Sequence, residues 1–376
     1  MILGKGRWIH STFPPTTEWI GLDLVKAVGV AVILFVHPHF LLISKKYAIV
    51  SPNSTLVELT RDMMFLGTFI MLLPIMAGCA LRATITQHIR TDGSINSSSF
   101  MRSVFWTAII MSSLGFLMNA ITWGAWYTFS WNMLQMVSVA YLVVAIVVLR
   151  FGVLGVLILA IAILFFAQPL VSVLRPYSEN YFVGILVGNN TRFIFWPILP
   201  WVSLPAIGFV VAHLFLQYRR DKRFLILSLA VGLSFVVIAI IRGEFTAELN
   251  NRYVWSQLMH QPLLWEVLGG VGLFLMLICL AEVCSAKITL SRYGVVNSFS
   301  KGILWIYIMQ MVVSYNLAPL VIDGFDFYQR LEMENVSDAF VYALLPLFMM
   351  LLGWATGAGI IKMMQENRFH IRLRKA

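Results

Sequence analysis

Charge is scarce in this chain. Lys, Arg, Asp and Glu make up 12% of its 376 residues, against 60% hydrophobic residues and a mean hydropathy of +0.84. Soluble domains carry roughly 25% charged and 45–50% apolar residues, so the composition excludes one. Cysteine is scarcer still. Cys79, Cys279 and Cys284 all lie in or beside apolar segments and have neither the spacing of a metal knuckle nor an exposed loop suited to a disulfide, so they read as packing residues. The chain also lacks a repeat of clear period, a low-complexity tract and a linker long enough to join a soluble domain. The segment before Trp19 has no apolar stretch and cleavage site, and no removed signal peptide is expected.

Long apolar runs are what the chain does have. Bounded by charge, Pro or Asn clusters, they predict an all-α bundle of ten transmembrane helices over 19–43, 61–81, 103–122, 131–149, 151–173, 193–216, 224–241, 263–284, 302–322 and 339–364. Only Arg150 and the glycines around it divide the fourth run from the fifth, so nine spans is the alternative. With the N-terminus inside, the inner segments hold eighteen Lys and Arg and the outer ones eight, which predicts both termini in the cytoplasm. The same bias accounts for the net charge of +10, and no nucleic-acid partner is expected. The organisation is then a cytoplasmic segment 1–18, a membrane domain 19–364 and a basic cytoplasmic tail 365–376.

The first run, WIGLDLVKAVGVAVILFVHPHFLLI, buries Asp23, Lys26, His37 and His39 in apolar sequence. Ionisable groups at that depth cost at least about 2.5–3.5 kcal/mol and by default mark a polar cavity or pathway. At about 100° per residue, Lys26 and His37 fall within about 20° of each other, some 16 Å apart along the axis, with Asp23 about 60° from Lys26. His39 falls about 200° from His37, and Pro38 between them is expected to kink the helix or end its regular part. A structural Asp–Lys ion pair near the interface and a satisfied bundle histidine are the plainer reading of the same residues.

Leu22-Asp23-Leu24-Val25-Lys26, ten residues and then His37 resembles the first-helix signature of the acyltransferase-3 membrane family, with Lys26 where that family usually has Arg. Three further stretches resemble the catalytic domain of heparan-alpha-glucosaminide N-acetyltransferase and its bacterial homologues. They are Pro74 to Arg82, ending in a small-Gly pair before a basic loop; Trp131 to Leu142, with Asn132 in place of the usual Gly; and Pro200 to Gly208. Gly302 to Gln310 resembles another helix of that domain, with Tyr307 kept and Gln310 where His is common.

The resemblance implies a membrane acyltransferase. It would move an acyl group, most simply acetyl, from cytoplasmic acyl-CoA to a hydroxyl or amine of a glycan or glycoconjugate outside, with no metal. His37 is then the general base or an acylated nucleophile, and Lys26, held by Asp23, a contact for the pantetheine amide or the thioester carbonyl. Arg82, Arg102, Arg219 and Arg220 are candidates for the donor's phosphates, although the positive-inside rule demands basic residues there anyway. His39, Asn132, Gln135, Tyr307 and Gln310 are candidates to line the shaft, with interhelical hydrogen bonding as the alternative. The bacterial inner membrane is the expected compartment. The rival function is a multi-pass exporter of a glycan or lipid intermediate using Asp23, Lys26 and His37 as substrate or proton sites, but no symmetric pair of interrupted helices supports it.

Overall fold

A computed structural model describes residues 19–44, 67–90, 94–189, 194, 196–242, 262–286, 288, 294–329 and 345–373, with the side chains of 35–44, 67–70, 315, 317–329, 345–346 and 367–373 outside the described set. The described residues form helices joined by turns and a few isolated bridges, with no strand among them. Eleven helices follow in order: α1 Ile20–Ser44, α2 Gly67–Thr86, α3 Ser97–Trp123, α4 Met133–Leu174, α5 Tyr181–Val187, α6 Ile198–Trp201, α7 Ser203–Tyr218, α8 Lys222–Ile241, α9 Leu264–Ser285, α10 Val295–Gln329 and α11 Leu345–Leu373. Among them, six helical segments are long and apolar enough to cross a membrane. Side chains facing outward from α8, such as Ile226, Leu227 and Ile241, are apolar, the reverse of a protein that faces water.

Local chemistry sets several boundaries. Asn96 caps α3 by accepting from Ser99 N, and Asp221 caps α8 by accepting from Arg223 N. Gly124, at φ 94, ends α3 in a conformation that a side chain would oppose. The 42 residues of α4 would rise about 63 Å if straight, about twice the hydrocarbon thickness. They are not continuous, because Gly152 leaves helical geometry at φ 68, ψ −166, two residues from Arg150. α1, by contrast, runs on through Pro38 to Ser44, close to the predicted span of 19–43, so of the two effects expected of the proline it does not end the helix. α11 likewise continues past Met364 into the basic tail.

The chain forms two compact units. One comprises Met71–Ala120 and Gly124–Cys279; the other comprises Trp19–Ile70, Ile121–Trp123 and Leu280–Ala376. In the first, a Cβ on Gly78 would fall on the carbonyl of Pro205, and one on Gly208 would fall on the carbonyl of Ile75. α2 and α7 therefore touch backbone to backbone, the approach that small residues permit between membrane helices. Tyr141 on α4 donates to Ala77 O at 2.9 Å and Cys79 Sγ to Gly208 O at 3.2 Å, which ties the three helices together. The second unit is built on α1, α10 and α11, whose shared core is Ala27, Val30, Leu34, Phe299, Ile306 and Met349. Gly302 and Gly357 bring α10 and α11 into similarly close contact.

Candidate functional site

In the second unit, α1 opens on a chain of polar contacts within an apolar helix. Trp19 is buried, its carbonyl accepts from Asp23 N at 3.1 Å, and its indole N–H donates to the Glu282 carboxylate of α9. That carboxylate lies over Gly21, where an added Cβ would collide with it. One turn on, Asp23 is buried and accepts from the hydroxyl of Ser300 on α10. Lys26 Nζ stands 4.0 Å from Asp23 Oδ1, on the same face of α1. A charge-assisted N–H···O bond is about 2.7–2.9 Å long, so Lys26 meets Asp23 through its field while Ser300 holds the carboxylate directly. The predicted Asp23–Lys26 pairing is present, with Ser300 and Glu282 as additions. In the sequence Ser300 carries only a weak signal, a serine just before Lys301 at the start of a predicted span, and Glu282 stands near the end of the predicted span 263–284, where solvation at the interface is the plain reading.

His37 and His39 occupy backbone positions in the C-terminal half of α1, and their side chains lie outside the described set. Tyr307 and Gln310 stand on α10 of the same unit, Tyr307 half-buried and Gln310 fully buried. This unit thus gathers Asp23, Lys26, the backbone of both histidines, Tyr307 and Gln310.

The remaining candidates belong to the first unit. Asn132 and Gln135 form a capping box at the start of α4: Asn132 Oδ1 accepts from Leu134 N at 2.8 Å, and Gln135 Oε1 accepts from Asn132 N at 3.1 Å. Asn132 Nδ2 also donates to Asn119 Oδ1 at 2.5 Å, and Asn119 Nδ2 to Ser130 O at 2.6 Å. These amides hold a helix end and the loop before it together, which is the bonding role weighed against shaft lining. Arg82, at 4% exposure, is buried, and its Nε donates to His213 Nδ1 at 3.3 Å. An imidazole nitrogen that accepts is unprotonated, so His213 leaves the cation in place rather than neutralising it. Arg102 and Arg220 are exposed and Arg219 half-buried. His213 was missed because a lone histidine in an apolar run reads as packing.

Asn53-Ser54-Thr55, Asn189-Asn190-Thr191 and Asn335-Val336-Ser337 match the Asn-x-Ser/Thr glycosylation pattern, and Asn53 and Asn335 lie outside the described residues. In the remaining one, Asn189 is buried and donates to Ser178 O at 2.8 Å.

The family described as heparan-alpha-glucosaminide N-acetyltransferase, catalytic, matches residues 19–243, more than half of the chain, from the start of α1 to the end of α8. No curated protein and no solved structure matches the chain.

Proposed function

The chain belongs to the family of heparan-alpha-glucosaminide N-acetyltransferase catalytic domains, membrane acetyltransferases, and on that premise we propose that it transfers an acetyl group from cytoplasmic acetyl-CoA to an amine or hydroxyl of an extracytoplasmic glycan. The observation that carries this reading is the buried Asp23, with Lys26 beside it, on the first helix of the matched region. Ten spans with both termini inside suit it, since the break at Gly152 divides a helix too long for one crossing.

In this reading His37 is the general base. It takes the proton of the acceptor nitrogen or oxygen as that atom attacks the thioester carbon. The carbon–sulfur bond breaks as the new acyl bond forms, and the departing thiolate takes the proton from the imidazolium. Lys26, some 16 Å nearer the cytoplasm on the same face, is too far from His37 to share the reacting carbonyl. It serves the extended pantetheine arm, oriented by Asp23. Arg82, Arg102, Arg219 and Arg220 bind the donor's phosphates, and the burial of Arg82 makes it the strongest of the four.

Sealed vesicles test the reading. With labelled acetyl-CoA confined to the cytoplasmic face, label should appear on a glucosamine-terminated oligosaccharide confined to the other. Label that stays on the donor side with the acceptor in excess would overturn it.

A further inference from the structure

The connection between α7 and α8 is three residues long, Arg219 to Asp221, and with the first two residues of α8 it reads Arg-Arg-Asp-Lys-Arg. Four cations against one carboxylate leave three net positive charges in five residues. The backbone there is fixed. Arg219 N donates to Phe215 O and Asp221 N to Tyr218 O, each at 2.8 Å, and the Asp221 carboxylate accepts from Arg223 N as the cap of α8. The Phe224 ring packs edge-on against Phe215, with centroids 5.0 Å apart, and lies 5.7 Å from Tyr218. Like charges that a flexible loop would spread apart are thus kept at one place.

Their direction decides what they meet. α8 buries Ser228, Gly232 and Ala239, and a Cβ on Gly232 would fall on the carbonyl of Gly272 in α9. Lys222 and Arg223 stand about 120° and 140° to either side of Ser228 around the helix, turned from that packed face. Both are exposed. One turn further along α8, each is followed by an exposed apolar side chain, Ile226 at 68% after Lys222 and Leu227 at 64% after Arg223. In a membrane span these two face hydrocarbon. Helical side chains lean toward the N-terminus, so Lys222 and Arg223 reach away from the apolar strip, to the level at which lipid phosphates stand. Exposed Tyr218 lies at the same end, the ordinary place of an interfacial aromatic.

We propose that Lys222 and Arg223 form a binding site for the headgroup of an anionic phospholipid, whose acyl chains lie along Ile226 and Leu227. Arg219 and Arg220 add to the positive potential that draws the phosphate in. A soluble phosphate would have no use for the apolar strip that follows the two cations. The site is independent of the acetyl-transfer reading.

The test uses the full chain in detergent with equal amounts of phosphatidylglycerol and phosphatidylcholine of the same acyl chains, bound lipid being counted by native mass spectrometry. Phosphatidylglycerol should be retained over phosphatidylcholine, and equal retention would overturn the proposal. Near a membrane each cation adds roughly fivefold to the attraction for anionic lipid, so Lys222→Gln/Arg223→Gln should lower phosphatidylglycerol retention about tenfold or more. Lys222→Arg/Arg223→Lys keeps the charge and should keep the lipid. The cap of α8 uses the backbone N–H of Arg223, so it survives all of these substitutions. Arg90→Gln/Arg150→Gln removes the same charge from two other exposed arginines and should leave retention as in the parent. An equal loss there would mean that the lipid answers to net charge alone, and would overturn the site. Coenzyme A in excess should leave the phosphatidylglycerol bound; its displacement would assign the two cations to a soluble phosphate instead.

Discussion

Ser300 donates its hydroxyl proton to the carboxylate of Asp23, while Lys26 stands 4.0 Å from the same oxygen. The neutral group therefore fixes the carboxylate more tightly than the cation does. Ser300→Ala should cost about 1.5–3 kcal/mol, the range for a hydrogen bond to a buried charge. Lys26→Met removes a longer, partly solvated attraction and should cost less than about 1 kcal/mol. Thermal unfolding in detergent distinguishes them, and a Lys26→Met protein less stable than Ser300→Ala would reverse the assignment. Lys26→Met should instead raise the KM for acetyl-CoA.

Gly78 and Gly208 allow α2 and α7 to touch, because a Cβ on either would enter the backbone of the other helix. Backbone cannot step aside as a flexible side chain can, so Gly78→Ala and Gly208→Ala should each lose about 1–3 kcal/mol or more. Gly359 is the control: a Cβ there meets nothing within 4 Å, and Gly359→Ala should be neutral or gain up to about 1 kcal/mol of helix propensity. Equal melting temperatures for all three variants would show that the two crossing glycines are not in contact with backbone.

The helices were legible in the sequence because an apolar run of about twenty residues has few other uses. The break inside α4 was legible too, at the glycines beside Arg150. Asp23 and Lys26 stood out because charge in an apolar run is conspicuous. Their partners did not. Ser300 lies 277 residues from Asp23 and Glu282 lies 263 from Trp19, distances across which no periodicity operates. His213 is an isolated imidazole that gains meaning only beside Arg82. Asn132 and Gln135 were open to two readings. In an apolar run they suit either a polar lining or hydrogen bonding, and the bonds to Leu134 N and Asn132 N, which make a capping box, appear only in the structure.

The Arg82–His213 contact predicts unequal roles among the four candidate arginines. A buried guanidinium is poorly screened, and its orientation is set by the imidazole it donates to. Exposed Arg102 and Arg220 are screened by salt and free to turn. Arg82→Gln should therefore raise the KM for acetyl-CoA roughly tenfold with kcat nearly kept, the scale of one charge-assisted hydrogen bond. Arg102→Gln and Arg220→Gln should change it less than about threefold. Steady-state kinetics over acetyl-CoA concentration decides this, and a larger rise for either exposed arginine would shift the donor site toward the surface.

The two histidines of α1 separate by helix geometry alone. His37 follows Lys26 by eleven residues and returns to within about 20° of its position around the helix, whereas the backbone position of His39 lies about 200° round from that of His37. Because α1 continues helical through Pro38, the backbone keeps the turn that this angle assumes. His37→Ala should lower acetyl transfer about 10²–10⁴-fold, the contribution of a general base, without loss of folded, membrane-inserted protein. His39→Ala should keep transfer within a few-fold of the parent, roughly the effect of a neighbouring packing change. Label transfer from acetyl-CoA in vesicles of matched protein content measures both. The opposite pattern, His39 essential and His37 dispensable, would mean that Pro38 rotates the C-terminal part of α1 enough to exchange the two faces.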